Sequence, residues 1–173
     1  MTQTLTHSLD QFADEIRAAL KADQGKAGKE AICRLVSRYL LDKDFVATHL
    51  KSRAAGGNPR EVLYEDPKLG FCICGHVYDN KANGAPHDHG SSWAIYGQAR
   101  GVTEMTEWRI VEKGSGEKPT LVEAKRTYVM NPGDVQFYDV GDVHSPKREA
   151  PVKLIRIEGS NLDHIKRSNI KAK

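Results

Sequence analysis

The sequence predicts a mainly β protein, a sandwich or barrel with α-helices packed outside it. Helical periodicity is confined to the first fifty residues. From residue 54 to residue 158 the chain breaks into short β-type runs separated by turn signals, the pattern of a sandwich or barrel rather than of βαβ units. The helices are too few to cover both faces of a parallel sheet, which places them against the outside of the barrel.

Ser8-Leu9-Asp10-Gln11 fits a capping box, and Leu9, Phe12, Ala13, Ile16 and Leu20 then recur at helical spacing. Gln24 to Gly28 interrupts the pattern, and Ile32, Leu35, Val36, Tyr39 and Leu40 form the stripe of a second helix. Asp44 is the expected cap of a short third helix ending at Leu50. The character changes at Ala54-Ala55-Gly56-Gly57-Asn58-Pro59. The clearest strands beyond it are Phe71–Tyr78, Trp93–Gly97, Thr103–Val111, Arg126–Met130, Val135–Tyr138 and Val152–Glu158, divided by signals such as Asn83-Gly84, Gly114-Ser115-Gly116 and Asn131-Pro132-Gly133. The expected organisation is one domain over residues 1–173: a helical cap (1–53), a barrel (54–163) and a basic tail (164–173).

Composition narrows the functional classes. Of 173 residues, 39% are hydrophobic and 28% charged, and the mean hydropathy is −0.57, a globular composition. No apolar run approaches the roughly 20 residues of a membrane span. Residues 1–10 lack the basic and apolar regions of a secretory signal, and the three cysteines, Cys33, Cys72 and Cys74, do not suit a disulfide framework; the expectation is a cytoplasmic protein without a membrane partner. The net charge of +3 comes from the tail, where Lys166, Arg167, Lys171 and Lys173 stand without an acid. A neutral body argues against nucleic acid as partner, and the tail reads as solvated and frayed. The expected assembly is a monomer or homodimer.

The chemistry is concentrated in histidine. In Pro86-His87-Asp88-His89-Gly90 two imidazoles stand two residues apart, so on a strand they share a face. His144 follows a glycine turn at Gly141 and opens the next strand. Three imidazoles converging on one ion leave open positions, as catalysis at a metal requires.

These residues resemble the two motifs of the cupins. Gly133, Gly141 and His144 match the second motif, with Asp139 where proline is usual; His87, His89 and a downstream glycine (Gly97 or Gly101) match the first. The glutamate of the first motif is missing, since Trp93 and Ala94 stand where it would fall. The resemblance implies a double-stranded β-helix (jelly-roll barrel) and a metal held by His87, His89 and His144. A three-histidine cupin without the glutamate is similar to the cysteine dioxygenase and bacterial thiol dioxygenase family, as are the preceding helices and the stretch Asn58 to Phe71, in which Arg60 matches the arginine for the substrate carboxylate. Two departures stand out. Ala94 occupies the position of the cysteine that animal-type members crosslink to tyrosine, so there is no catalytic crosslink. The strand Leu154-Ile155-Arg156-Ile157-Glu158 lacks the family's second histidine and tyrosine.

The resemblance implies an Fe(II) enzyme that oxidises a small thiol, cysteine-like or a mercapto acid, with O₂ to a sulfinate. Zn, Ni or Cu also suits such a ligand set. The expected substrate-binding residues are Arg60 and Arg156, because a guanidinium fixes a carboxylate bidentately; Arg156 either meets an anionic substrate or pairs with Glu158. His76, Trp93, Tyr96 and Glu158 are further candidates for the pocket wall, with ordinary packing the competing role for His76, Trp93 and Tyr96. Two other classes fit the same site: a different metal-cupin reaction, such as an isomerase or a ring-cleaving dioxygenase, and a non-catalytic small-molecule binding protein.

Overall fold

A computed structural model describes residues 7–54 and 56–173. Helix α1 (Leu9–Ala22) starts where expected, with Ser8 Oγ accepting from the Gln11 amide at 3.1 Å. Helix α2 (Lys26–Leu40) follows, its entry organised by Asp23, whose carboxylate accepts from the amides of Gly25 and Gly28. Helix α3 (Lys43–His49) is capped by Asp42 rather than Asp44. The Asp42 carboxylate takes the amides of Asp44 and Phe45, while Asp44 already lies in the first turn.

Among the described residues ten strands follow: β1 (Arg60–Glu65), β2 (Cys72–Tyr78), β3 (Ala82–Asn83), β4 (Ala94–Arg100), β5 (Thr103–Glu112), β6 (Thr120–Met130), β7 (Val135–Tyr138), β8 (Val143–Arg148), β9 (Val152–Glu158) and β10 (Ile170–Ala172). A short 3₁₀ turn (Leu162–His164) precedes the last. The strands form two five-stranded sheets in the orders β1-β2-β9-β4-β7 and β10-β6-β5-β8-β3. Neighbours run antiparallel except β10, which pairs parallel to β6. Strand β9 lies between β2 and β4, so the ladder is built by crossover rather than by consecutive hairpins.

The tail departs from the expectation of a frayed end. Residues 169–173 lie along β6, with the Thr120 amide donating to Asn169 and the Lys173 amide to Val122. The apolar Ile170 joins the register opposite Thr120, and backbone pairing holds a segment whose charge alone suggested solvent. Strand β6 also begins six residues before the expected Arg126, because β5 and β6 continue as a long hairpin arm with charged outer positions such as Arg109 and Glu123.

Period-two alternation sends each strand of the first sheet two ways. On one side Ile73, Val77, Ile95, Ile155 and Ile157 pack with Phe12, Ile16, Ile32, Val36, Tyr39 and Phe45 of the helices. On the other side Ala94, Tyr96 and Leu154 meet Met105, Met130 and Tyr138 inside the barrel. Strands β2, β4 and β9 are therefore buried on both faces. Gly97 sets how closely α2 approaches: a Cβ there would lie 2.4 Å from Val36 Cγ1 and 3.0 Å from Leu40 Cδ1. Overpacking such a contact costs about 1–3 kcal/mol. Gly97→Val should lower stability by that amount in urea unfolding, whereas Gly116→Ala, at a turn with open space around it, should cost no more than the strain of its positive φ.

Candidate metal centre

Strand β8 and the segment before β4 bring the three histidines together. The His87 amide donates to the His144 carbonyl and the His144 amide returns the bond to His87, both at 3.0 Å, fixing the backbone of one ligand candidate against another. The ring nitrogens of His87, His89 and His144 lie within 4.8 Å of one another. His89 and His144 are buried, and His87 is half-buried on the cavity side.

Each ring is available as a ligand. Nδ1 of His87 donates to the Ala85 carbonyl at 2.8 Å, which leaves Nε2 with its lone pair. His89 and His144 each bury an Nδ1 with no hydrogen-bond partner, the condition of a group that awaits one. Burial holds His87 down to about 4 and His89 to about 3, and keeps His144 well below the ordinary imidazole range, so all three are neutral at physiological pH. No carboxylate joins the group among the described residues. This donor set fits a divalent cation of the borderline kind.

Other side chains fix the rings. Tyr138 stacks on His144 with centroids 3.8 Å apart and planes 15° apart, and its hydroxyl meets that of Tyr128 at 2.5 Å. The Tyr96 hydroxyl stands 3.1 Å from His89 Nε2 and 3.4 Å from His144 Nε2. It accepts from Arg156 Nη1 at 3.1 Å, so its own proton is free to face the imidazoles.

Behind Tyr96 lies an ion network. Arg156 donates to Glu158, with Nε at 2.8 Å. Arg60 grips the same carboxylate with two bonds, Nε to Oε1 at 3.0 Å and Nη2 to Oε2 at 2.8 Å, and also donates to Asp163 and Asn161. Burial pushes the Glu158 carboxyl up, but the Arg60 hydrogen bond and the charges of Arg156 and Arg60 outweigh it and bring it to about 2. Of the two roles expected for Arg156, the structure shows the pairing with Glu158.

Through His87, the one member of the three that lines it, the histidine cluster meets a cavity of about 400 Å³. His87, Tyr96, His76, Arg60 and Arg156 line it, joined by Tyr78, by Arg167 of the basic tail, and by Arg148, which no motif of the sequence marks. Arg148 lies four residues after His144 on the same strand, on the face that alternation assigns once the extent of β8 is known. Trp93 is displaced from the expected pocket wall. It has the opposite parity to Ala94 and Tyr96, faces the helices, and packs near Lys29 and Gly159.

No protein-family model matches the sequence, and no curated protein matches it. Among solved structures, a conserved protein with a double-stranded β-helix domain from Klebsiella pneumoniae aligns with a TM-score of 0.50 and 13% identity over 72% of this chain and 88% of its own. A cupin superfamily protein from Desulfitobacterium hafniense aligns at 0.46 and 11% identity over 65% of this chain and 84% of its own. KdgF from a Halomonas species aligns at 0.42 and 17% identity, covering 65% and 80%. The chain has the double-stranded β-helix fold.

Two outcomes follow from the site's electrostatics. Glu158 is a buried anion shared by two arginines, and breaking a buried pair by removing one partner costs about 3–5 kcal/mol; Glu158→Gln should lose that much in chemical unfolding. His76, His87, His89 and His144 have folded pKa values below their unfolded ones. As pH falls from the ordinary imidazole range toward about 4, the unfolded chain binds protons that the folded chain refuses, so stability falls with pH in that window. The melting temperature of metal-free protein should therefore drop steadily between pH 7 and pH 5, and added Zn²⁺ should raise it at pH 7 for the wild type but not for His144→Ala.

Proposed function

We propose that the protein is a mononuclear, metal-dependent oxidoreductase that converts a small thiol acid and O₂ to the corresponding sulfinic acid, with iron(II) as the metal, in a reducing cytoplasm. The observation that carries this reading is the group of three neutral histidines, with no carboxylate among them in the described residues, whose member His87 stands in the wall of a cavity lined by arginine. A metal bound to three neutral imidazoles keeps its full 2+ charge, which favours an anionic sulfur ligand over a neutral alcohol and suits a thiol whose pKa the ion lowers. The resemblance to thiol dioxygenases points the same way. Iron(II), when bound, supplies the activation of O₂ that no side chain can provide.

The chain's own residues bind, orient and exclude water. His87, His89 and His144 would hold the ion, each ring fixed by a backbone carbonyl or an aromatic neighbour. Tyr96, restrained by Arg156, places a hydroxyl beside the cluster, where it can hold a proton or donate a hydrogen bond to a bound ligand. The Glu158 network keeps that hydroxyl in place. The cationic wall selects an acid, and the cavity volume limits it to a small one.

Oxygen consumption by Fe(II)-loaded protein with 3-mercaptopropionate, cysteine, cysteamine and 2-mercaptoethanol tests the reading. Uptake matched one-for-one by sulfinate, faster with the acids than with the uncharged thiol, is the expected result, and His144→Ala should reduce it at least a hundredfold. Uptake that needs a substrate without sulfur would move the protein to another oxygenase class. Tight acid binding with no turnover would make it a binding protein.

A further inference from the structure

Arg148 is the buried arginine of the cavity that the Glu158 network leaves out. On β8, His144, Pro146 and Arg148 share one face, and Pro146 and Arg148 both line the cavity. Four residues of strand separate the Cα of Arg148 from that of His144 by roughly 13 Å. The Arg148 residue is only 4% exposed. Its Nε is buried without a hydrogen-bond partner, and no carboxylate pairs with it among the described residues. The ring of Tyr78 supports the guanidinium at 4.4 Å.

The other inward arginines are different. Arg17 pairs with Asp66, Arg53 with Glu61, and Arg60 and Arg156 with Glu158. A buried cation without a counter-ion costs stability, and burial correspondingly lowers the Arg148 pKa, opposed only by the phenols of Tyr78 and Tyr96 and by no carboxylate. Beside it, His76 buries an Nε2 with no partner. Arg167 reaches the same cavity from the C-terminal segment, where Asp88 holds the adjacent Ser168 through its amide at 3.1 Å and its hydroxyl at 2.5 Å. Arg148 and Arg167 thus bring two positive charges without a paired carboxylate to a cavity whose lining contains no Asp or Glu among the described residues.

We infer that Arg148 is the acid-recognition residue of the cavity: it takes the carboxylate of a small organic acid whose other end reaches the histidine cluster, and Arg167 covers the same group from the C-terminal segment. Arg60 and Arg156, both held by Glu158, position Tyr96 and the cavity wall instead. The inference rests on the reading of this cavity as the substrate site, but it requires neither sulfur nor O₂.

Anaerobic titration calorimetry on the full chain loaded with Zn²⁺ tests it, with 3-mercaptopropionate, succinate and propionate as acids and 3-mercaptopropionamide, succinamide and propionamide as uncharged counterparts. Each acid that binds should do so at least tenfold more tightly than its amide. In Arg148→Gln the acids should weaken at least tenfold, to the level of the amides, and Arg148→Lys should recover part of the loss. Arg109→Gln, on the exposed arm of β5, should change nothing. Arg148→Met should also melt about 2–4 °C higher than the wild type, as expected for removing an unpaired buried charge. Equal binding of acid and amide, failure of every acid to bind, an Arg148→Gln protein that binds acids normally, or an Arg148→Met protein that melts lower would each overturn the assignment. Acid discrimination without oxygen uptake removes the thiol oxidation reading alone; uptake without acid discrimination removes this one alone.

Discussion

Glu158 sits at the end of β9, fully buried, between two guanidinium groups that approach it from different directions. Arg60 comes from the edge strand β1 and Arg156 from two positions back on β9 itself. Strand register places Arg156 between Cys74 of β2 and Tyr96 of β4, so the carboxylate governs a group that reaches across the sheet. Through Arg156 it restrains the Tyr96 hydroxyl, which stands beside two of the three clustered histidines. Without a shared anion the two cations would repel inside a low-dielectric barrel, where unpaired charges are costly. The shape of the site depends on one carboxylate that itself touches no histidine.

The same strand joins this interior to the rest of the fold. Leu154, Arg156 and Glu158 point into the barrel, while Ile155 and Ile157 point to the helices. The helices need no functional group of their own. They cover the outer face of a sheet that would otherwise expose isoleucines, and Gly97 lets α2 lie close enough to do so. A polar inner face is tolerated because the outer face supplies the apolar burial.

Most of this was legible where residue type and period agree. The expected bounds of β7 and β9 coincide with the observed ones, although Lys153, Arg156 and Glu158 interrupt the apolar residues of β9. The two-residue spacing of His87 and His89 points to the cluster, although the pair lies before β4 rather than on a strand, with only His87 bridged to His144. Strand β8 was only partly legible, because Ser145-Pro146-Lys147 has the composition of a turn. Proline is tolerated there since its carbonyl is used, accepting from the Gly84 amide, and its missing N–H is not required. With the extent of β8 hidden, the shared face of His144 and Arg148 was hidden too. Of its two expected roles Trp93 takes packing, because one residue of parity on a strand means the opposite side of the sheet from Ala94 and Tyr96. The Arg60–Glu158 bond joins residues ninety-eight positions apart, and no local pattern encodes such a distance.

The arginines and the histidines also act on one another. Burial is the main cause of the low imidazole pKa values, but the positive charges of Arg156 and Arg167 push His87 and His89 further down. A neutral imidazole is the form that ligates a metal, so the charge that attracts an acid also keeps nitrogen lone pairs available. The same charge opposes an incoming cation. Glu158 relieves part of that opposition, and an anion bound in the cavity would relieve more. Cation and acid therefore each lower the electrostatic cost of the other, a coupling that linkage makes reciprocal. Asp88 ties this balance to the C-terminus: it lies between His87 and His89 in the chain and holds Ser168, the neighbour of Arg167. The chain end that reads as a solvated basic tail is thus part of the electrostatics of the cavity.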